Sequence, residues 1–423
     1  MHKVLFISFY WVPSGKATLH WPLYIIRHLP SFGWQPSVLT VNEDTISSRD
    51  DSLAHNVPES VKVSRTDYFD PFVFYRKFTG KSADAPLVSS EMISKENKAF
   101  RHRLAVWIRM NLFVPDARAG WYPYGVKEGR RLLSEEKFDA IVTIGPPHST
   151  HLIGRKLAKQ FNVPFFPVLI DPWVDIVYYK DFRRSLPVVK LDRHLERLVM
   201  KDASHAVFVT ESTRADFVQR YPWLDKKSSV LYWGYNEESF IGIESPAETT
   251  ASSVEIFLHA GNIFDYQNPP LLWSAIKRQI DRGRKIRLKF TGSVSPGIKQ
   301  AVTAAGLDPH TEYTGFLPYD QMVREICSAS FLLVCATEKR HVPGKLFEYM
   351  RSGRPILAFG DDNEEVSGFL ERTRAGMLFR YSEDPSEFFD RSGEFTCDTA
   401  EVKKYDRRHL AGRLAEILKN YEL

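Results

Sequence analysis

Residues 341–359 read HVPGKLFEYMRSGRPILAF, and the prediction of the fold starts from this stretch. The Pro-Gly-Lys sequence at 343–345 precedes an amphipathic pattern, and Glu348 lies one turn inside that pattern. Ser-Gly-Arg-Pro at 352–355 ends it, and an apolar run follows. This order predicts a short helix followed by a buried strand, which is one repeat of a parallel α/β sheet.

The same alternation continues outward from this stretch in both directions. In the first half the apolar runs KVLFISFY, QPSVLTV, FDAIVTIG and VPFFPVLI are separated by helical patterns. The second half restarts the rhythm with VEIFLHAG, IRLKFTG and SFLLVCA. Strands that alternate with helices indicate βαβ units and a parallel sheet. We therefore predict an α/β protein with two doubly wound domains and a ligand cleft at the carboxyl ends of the strands.

Composition places the boundary between the two domains near residues 234–253, which are rich in Gly, Ser, Pro and Thr. We predict an N-terminal domain at 1–235 and a C-terminal domain at 254–404. The amphipathic helix in 405–423 is expected to pack across the domains. Residues 43–94 are polar, break the alternation and are predicted to form an irregular insertion.

The bulk composition is that of a folded globular protein, with 423 residues, 43% hydrophobic and 26% charged. No apolar run approaches the ~18–20 residues that a membrane-spanning helix needs. The start, MHKVLFISFYWVPSG, resembles a signal peptide, but a small-residue cleavage site is lacking, and we interpret it as the first buried strand. The net charge of +5 permits an anionic ligand or an anionic membrane surface and does not favour nucleic acid as a partner.

The three cysteines are Cys327, Cys335 and Cys397, and none lies in a Cys-x-x-Cys or Cys/His pattern with metal spacing. Cys327 and Cys335 have apolar neighbours in the sequence and are predicted to be buried thiols. A reducing cytosol fits this usage, so a cytoplasmic location is expected.

The opening stretch suggests a phosphate site. The N-terminus of a helix offers free backbone N–H groups and the positive end of a dipole. Gly344 lets a ligand approach the backbone, and Lys345 adds a positive charge, so together they form a candidate diphosphate site. Glu348 lies on the same side of the helix as Lys345 and could accept hydrogen bonds from two sugar hydroxyls. The alternative is a capped surface helix that carries a Lys–Glu pair.

Family resemblance supports the first interpretation. PGKLFEYMRSGRPILAF resembles the donor-site motif of GT-B glycosyltransferases, in particular those of glycosyltransferase family 4. LYWGYNEESF is similar to the interdomain segment of that family, and TEYTGFLPYDQMVREICSASFLLV to its nucleotide-base loop and the helix that follows. IGPPHSTHLIGRKLAKQFNVPFF and IDPWVDIVYYKDF resemble a bacterial subgroup. Residues 43–94 match none of these motifs.

The resemblance implies a GT-B fold, with two Rossmann-like domains and a cleft between them. It implies a retaining transfer of a sugar from a nucleotide diphosphate to a glycan or lipid-linked acceptor, in cell-envelope polysaccharide synthesis. No metal and no cofactor is expected, because a helix N-terminus and Lys345 can stabilise the leaving diphosphate. The sequence contains no Asp-x-Asp motif. The transition state should resemble an oxocarbenium ion.

The resemblance also assigns residues to the donor site. Glu348 resembles the glutamate that binds ribose, and Gly315 with Phe316 resembles the loop that contacts the base; the alternatives are a solvated carboxylate and a plain turn. Gly261 and Asn262 match the loop after the first strand of the C-terminal domain. The donor-binding residues implied are Gly15, Gly261, Asn262, Gly315, Phe316, Arg340, Gly344, Lys345, Leu346 and Glu348.

Two departures from the family pattern affect this assignment. The loop after Gly261 lacks the Arg and Lys that many members use to hold the diphosphate. The first glutamate of the family motif falls on Arg340, and Glu338 lies two residues earlier. We predict Glu338 as a catalytic residue near the donor sugar if the loop differs, and Arg340 or His341 as a further source of positive charge.

In the N-terminal half, Gly15 resembles a glycine loop that faces the donor phosphate, and Lys16 stands where relatives carry a second glycine. Lys16 could contact a phosphate on the acceptor side or be a surface lysine. Asp171 follows a strand and is predicted to be catalytic, the alternative being a turn aspartate before Pro172. His148 is predicted on the acceptor side, the alternative being a packed histidine.

Residues 100–113, FRHRLAVWIRMNLF, predict an amphipathic helix with Leu104, Trp107, Ile108 and Leu112 on one face. Such a helix could lie peripherally on the inner face of an anionic membrane and meet a lipid-linked acceptor. The alternative is a stripe that packs in the core.

Two other functions fit the same architecture. Nucleotide-sugar 2-epimerases share it and would convert the donor without an acceptor. A catalytically silent protein that binds a nucleotide sugar would explain both departures. A periplasmic binding protein also has two α/β domains, but it would need a signal peptide.

Overall fold

The computed structural model divides into two compact units, each with its own sheet. The N-terminal unit comprises Met1–Val209, Thr213–Leu231 and Ala411–Leu423, and the C-terminal unit comprises Thr210–Ser212 and Tyr232–Leu410. The structure describes residues 1–46, 48–70, 100–176, 184–243, 254–336 and 339–421, with the backbone alone at 100–105.

Seven strands form the sheet of the N-terminal unit. They are β1 (His2–Ile7), β2 (Trp34–Val41), β3 (Lys62–Thr66), β4 (Ala140–Gly145), β5 (Phe165–Leu169), β6 (Ala206–Phe208) and β7 (Ser228–Val230). Their order is β3-β2-β1-β4-β5-β6-β7, and every neighbouring pair is parallel.

Helices connect all consecutive strands except β2 and β3, since parallel neighbours need a crossover connection. They are α1 (His20–His28), α2 (Phe100–Leu112), α3 (Tyr122–Glu135), α4 (Ser149–Phe161), α5 (Leu186–Asp202) and α6 (Glu211–Arg220). Residues 4–7 of β1 and all of β4 and β5 are buried, because helices cover both faces of a parallel sheet. The apolar runs of the sequence therefore mark the central strands.

The described part of the predicted irregular segment, up to residue 70, contains regular structure. After the 3-10 turns Glu43–Thr45 and Asp51–Asn56, the chain forms β3 at the edge of the sheet. Four of its five residues are partly buried and none is fully buried, so KVSRT shows no apolar run that sequence reasoning could detect. Residues 71–94 of the predicted insertion lie outside the described residues.

Six strands form the sheet of the C-terminal unit. They are β8 (Glu255–Ala260), β9 (Ile286–Thr291), β10 (Thr311–Gly315), β11 (Phe331–Cys335), β12 (Ile356–Phe359) and β13 (Gly376–Phe379). Their order is β10-β9-β8-β11-β12-β13, again with every pair parallel. Counted from its own first strand, this is the order 3-2-1-4-5-6 of a Rossmann sheet.

The helices of this unit are α7 (Pro270–Asp281), α8 (Pro296–Ala304), α9 (Tyr319–Ser328), α10 (Lys345–Ser352), α11 (Glu364–Thr373), α12 (Ser386–Arg391) and α13 (Thr399–Lys403). The last helix, α14 (Arg407–Lys419), begins in this unit and from Ala411 belongs to the N-terminal unit. Hydrophobic clusters lie on both faces of the sheet. Leu258 of β8 belongs to one cluster, and its neighbour Phe257 belongs to the other. Successive side chains of a strand point to opposite faces, so one apolar run supplies both clusters.

The strand order of each sheet positions a site. In the C-terminal sheet, β9 and β10 lie on one side of β8, and β11, β12 and β13 lie on the other. The order of strands therefore reverses at β8. Ligands of open α/β sheets bind at this switch point, beside the carboxyl ends of the strands. In the C-terminal unit the loops after β8 and β11 lie there. The prediction of two doubly wound, Rossmann-like units is confirmed.

Candidate functional site

Lys345 connects the start of α10 to the end of β8. It is the first residue of the helix, directly after Gly344. Its Nζ lies 3.1 Å from Nε2 of His259, the second-last residue of β8. The side chain therefore bridges the two loops that the strand order brings together.

The loop after β8 leaves room beside this ammonium group. Gly261 has φ of 92°, and a β-carbon built on it would lie 3.4 Å from Lys345 Nζ. The neighbouring Asn262 accepts a hydrogen bond through Oδ1 from the backbone N–H of Ser293, at 2.9 Å. The structure thus brings Gly261, Asn262, Gly344 and Lys345 to one place.

The charge of Lys345 is only weakly stabilised by its surroundings. Burial lowers the pKa of Lys345 to about 8, against the opposing effects of Cys335 and Glu348. Burial also holds the pKa of His259 well below its usual range, so the imidazole is neutral. Among the described residues no carboxylate lies within ion-pair distance of Lys345. Lys345 is therefore a cation without a counter-ion among these residues, which favours the binding of an anion.

Glu348 is buried one turn further along α10, with 6% of its surface exposed. Tyr319 donates a hydrogen bond to its Oε1 at 3.2 Å, and Arg407 Nη2 lies 3.5 Å from the same oxygen. Burial raises the pKa of Glu348, and Arg407 and Tyr319 oppose that shift. Leu346 and Met350 are buried as well, so the alternative of a solvated carboxylate on a surface helix is wrong.

Gly315 and Phe316 lie at the carboxyl end of β10. Gly315 has φ of 72°, and a β-carbon there would have no neighbour within 4 Å. Its carbonyl accepts a hydrogen bond of 2.6 Å from Gly292 N–H, which ties this turn to the loop after β9. The Phe316 ring follows directly and is 74% exposed. An exposed ring on an open turn is available to stack on a planar ligand.

The segment between β11 and α10 carries the remaining candidates of this unit. Arg340 and His341 are partly buried, and the His341 carbonyl accepts a hydrogen bond of 2.8 Å from Asn363 Nδ2. Glu338 lies outside the described residues. Its catalytic role therefore stays a prediction.

In the N-terminal unit, Gly15 packs against a neighbouring backbone. Its N–H donates to the Ser48 carbonyl at 2.8 Å, and a β-carbon on it would lie 3.2 Å from Ser48 Oγ. Lys16 is partly buried, and its N–H donates to Ser14 Oγ at 3.3 Å. Close packing in this loop is enough to explain the glycine.

Asp171 and His148 lie beyond the carboxyl ends of neighbouring strands. Asp171 is partly buried and follows β5, whereas His148 follows β4 and directly precedes α4. The His148 ring stacks on Trp173 with a centroid distance of 4.8 Å and an interplanar angle of 8°. Burial lowers the pKa of His148 to about 3, so this histidine is neutral. It is a packed histidine at the edge where a ligand of this sheet would bind.

The C-terminal unit matches a known protein family by sequence, and the whole chain matches known structures. Residues 255–396, all in the C-terminal unit, match the family model described as Glycosyl transferases group 1. Across the whole chain, the structure is similar to the Anabaena protein HepE in complex with UDP and glucose. The TM-score is 0.61, the identity is 14%, and 99% of this chain and 100% of that chain are covered. The fold is GT-B.

Other solved structures share this fold. A sucrose-phosphate synthase from Thermosynechococcus elongatus has a TM-score of 0.61 at 14% identity, over 100% of this chain and 95% of that chain. A protein from Listeria monocytogenes described as a UDP-N-acetylglucosamine 2-epimerase has a TM-score of 0.54 at 9% identity, over 97% of this chain and 94% of that chain. A search of curated proteins by sequence finds no match.

Several residues of this GT-B protein that lie at or next to the candidates have no local signal in the sequence. Tyr319 and Arg407 contact Glu348 from 29 and 59 residues away. His259 stands two positions before Gly261 on a strand and reads as an ordinary core residue. In the other unit, Asp116 accepts hydrogen bonds from Ser149 N–H at 2.7 Å and from Ser149 Oγ at 3.0 Å, and so caps the N-terminus of α4.

The amphipathic helix α2 presents part of its predicted stripe to solvent. Trp107 is 48% exposed and Leu112 is 64% exposed, whereas Met110 is buried. The alternative in which Trp107 and Leu112 pack in the core is therefore wrong. The side chain of Leu104 lies outside the described residues.

The described part of the chain shows neither a metal cluster nor a membrane-spanning helix. There, no group of three or more His, Cys, Asp or Glu side chains is placed to hold a metal ion. No helix in that part has the length and apolar character to cross a membrane. The three cysteines are free thiols, and Cys327 and Cys335 are buried, as predicted.

Proposed function

We propose that this protein is a glycosyltransferase that moves a sugar from a nucleotide-diphosphate donor to a glycan or lipid-linked acceptor. The observation that carries the proposal is the cation of Lys345 beside Gly261, at the switch point of the C-terminal sheet. It lies in the region that matches the Glycosyl transferases group 1 model. The HepE structure with UDP and glucose supports a nucleotide sugar as the donor.

In the proposed donor complex, the N–H groups at the start of α10 and the Lys345 ammonium bind the diphosphate. Glu348 accepts hydrogen bonds from ribose hydroxyls, and Phe316 with Gly315 contacts the base. As the bond to the sugar breaks, negative charge grows on the leaving diphosphate. A cation already in place stabilises that charge without reorganising, so no metal is needed.

The proposal for the acceptor side rests on the N-terminal unit. Asp171 and His148 follow β5 and β4 at the carboxyl edge of its sheet, where the acceptor would bind. We assign Asp171, with Glu338, to the reacting sugar, and Lys16 to acceptor binding. We further propose a family 4 enzyme that retains configuration and makes cell-envelope polysaccharide. It would work on the cytoplasmic face of the inner membrane, where the exposed stripe of α2 supports peripheral contact.

A thermal-shift panel tests the donor site. The melting temperature of the wild type is measured with UDP, GDP, ADP, CMP and dTDP, and again for Lys345→Ala. A ligand at about 100 times its Kd stabilises the native state by ~2.7 kcal/mol. We expect one diphosphate to raise the melting temperature of the wild type and to lose that effect in Lys345→Ala.

The matched control is Lys277→Ala, which removes a partly buried lysine, paired with Asp281, from α7 of the same unit. It should keep the full response to the nucleotide. No shift with any nucleotide at millimolar concentration would contradict the donor site. With the base known, turnover that requires an acceptor supports the transferase, whereas conversion of the nucleotide sugar alone indicates an epimerase.

A further inference from the structure

Lys345 is partly buried, and its hydrogen-bond partner is unusual for a lysine that is shielded from water. Buried lysines are normally paired with carboxylates, because an uncompensated charge is costly away from water. Here the ammonium group donates to Nε2 of His259 at 3.1 Å. His259 is 1% exposed and neutral, so it accepts a hydrogen bond without supplying a negative charge.

The other groups around Lys345 do not neutralise it either. Cys335 approaches from the end of β11, and burial raises the pKa of its thiol to about 12, so the thiol is neutral. Glu348 lies on α10 itself, and its Oε1 is engaged by Tyr319 and Arg407. The set of groups that faces Lys345 therefore holds its position and leaves its charge available.

The hydrogen bond to His259 also fixes the direction of the Lys345 side chain. His259 is the second-last residue of β8, and Gly261 follows two residues later at φ of 92°. The imidazole thus anchors the lysine side chain beside a residue with no β-carbon, at the distance of 3.4 Å noted above. A lysine side chain has four rotatable bonds, and without an acceptor here it would sample other directions.

We propose that His259 is a positioning residue that holds the Lys345 ammonium towards the diphosphate of the donor. This inference rests on the proposed function, since it assumes that Lys345 binds the diphosphate. A neutral acceptor at this position serves anion binding better than a carboxylate. An ion pair would have to be broken, or its charge cancelled, before the diphosphate could use the lysine.

The arrangement has a consequence for pH dependence. Lys345 has a pKa of about 8 in the free protein, and a bound diphosphate favours its charged form. Binding therefore takes up protons where the free lysine is neutral. Once the ionisation of the anion itself is allowed for, affinity should fall as pH rises through the pKa of Lys345, towards tenfold per pH unit.

Isothermal titration with inorganic pyrophosphate between pH 6.5 and 9.5 tests the inference, because this probe does not depend on the base. The variants are His259→Phe, which keeps a ring without an acceptor, and His259→Gln, which keeps an acceptor. His259→Phe should weaken binding about tenfold at pH 7 and move the fall in affinity to lower pH. His259→Gln should stay within about threefold of the wild type and keep its profile.

His205→Gln, a histidine of the N-terminal unit bonded to Ser229, is the matched control and should bind as the wild type does. Circular dichroism and melting temperature show whether each variant is folded. If His259→Phe folds and keeps the wild-type affinity and pH profile while Lys345→Ala loses binding, His259 has no positioning role and the donor site stands. If Lys345→Ala binds as the wild type does, or the wild type does not bind, the proposed donor site fails and this inference with it.

Discussion

Glu348 and Arg407 place opposite charges inside the C-terminal unit. They are 6% and 2% exposed, and their closest charged atoms are 3.5 Å apart. The pKa of Glu348 is nevertheless raised, so burial outweighs the attraction of Arg407. A carboxyl whose pKa is higher folded than unfolded stabilises the fold below its unfolded pKa, and this contribution is lost as pH rises through the folded pKa. Ionisation of Glu348 therefore costs stability.

The two partners should respond differently to substitution. Arg407→Met leaves Glu348 buried without a counter-charge and removes the hydrogen bond from Arg407 Nε to the Trp233 carbonyl. We expect it to lower the free energy of unfolding by about 3–5 kcal/mol at pH 7. Glu348→Gln removes a charge that is costly to bury, but it leaves Arg407, which is 2% exposed, without this carboxylate. It should also lower that free energy, by about 1–3 kcal/mol, which is less than for Arg407→Met because the bond to Trp233 remains.

Urea denaturation of both variants measures the two values. The deficit of Arg407→Met should shrink as pH is lowered, since protonation of Glu348 removes the unpaired charge. Equal losses for both variants at pH 7 would show that the pair acts as a net stabilising ion pair instead.

At the scale of elements, the loops after β8, β9 and β10 converge through glycines. A β-carbon on Gly292, which has φ of 97°, would lie 2.7 Å from the Gly261 carbonyl carbon. The obstacle is backbone, so it cannot turn aside as a side chain would. The loop that carries Gly261 and Asn262 therefore depends on the glycine that follows β9.

Gly292→Ala should lower the free energy of unfolding by about 3 kcal/mol, from the left-handed backbone and the displaced loop together. It should also weaken pyrophosphate binding. Gly315→Ala is the matched control, because it has φ of 72° with open space around it. That variant should cost only ~1–2 kcal/mol. Thermal unfolding and pyrophosphate titration give both readouts, and equal effects of the two substitutions would contradict the role of backbone contact.

At the scale of the whole molecule, exposed apolar side chains gather on the N-terminal unit. Trp107 and Leu112 of α2 have exposed counterparts on α5, where Leu186 is 76% and Leu191 is 50% exposed. Asn111 Oδ1 accepts a hydrogen bond of 2.7 Å from Ser185 N–H, so these helix ends are neighbours.

The outer face of α5 adds positive charge to this surface. Its exposed polar residues are all basic, whereas Asp192 and Glu196 are fully buried and the last residue, Asp202, is partly buried and paired with Arg155. The exposed bases are Lys190, Arg197 and Lys201, with His194 between them. Apolar side chains beside basic ones are typical of a surface that binds an anionic membrane.

We expect the protein to sediment with vesicles that contain anionic lipid and to be released as salt is raised. Leu112→Glu combined with Leu186→Glu should reduce the bound fraction several-fold, because each substitution adds a charge that must be desolvated. Ile241→Glu, at a residue of the C-terminal unit that is 74% exposed, is the control and should bind normally. Unchanged sedimentation of the double variant would show that this face does not contact the membrane.

The sequence by itself determined the order of strands and helices and the place of the donor-site candidates. Runs such as VLFI at 4–7 and FLLVC at 331–335 are buried from end to end, and a buried parallel strand requires such a run regardless of its neighbours. Gly344, Lys345 and Glu348 were identified because capping and helical spacing are local properties. Edge strand β3 was missed for the same reason, since partly buried positions leave no local pattern.

Only the tertiary structure decided which groups surround the candidates. His259, Tyr319 and Arg407 meet Lys345 and Glu348 because the order of strands brings β8 beside β11 and places α9 and α14 near α10. The exposure of Trp107 and the burial of Glu348 likewise depend on which faces are covered. Helical periodicity predicts that a helix has an apolar face, but it does not predict which residues pack on that face. Contacts between residues far apart in the chain are settled by the packing of the whole sheet, and the charge and pKa of Lys345 follow from those contacts.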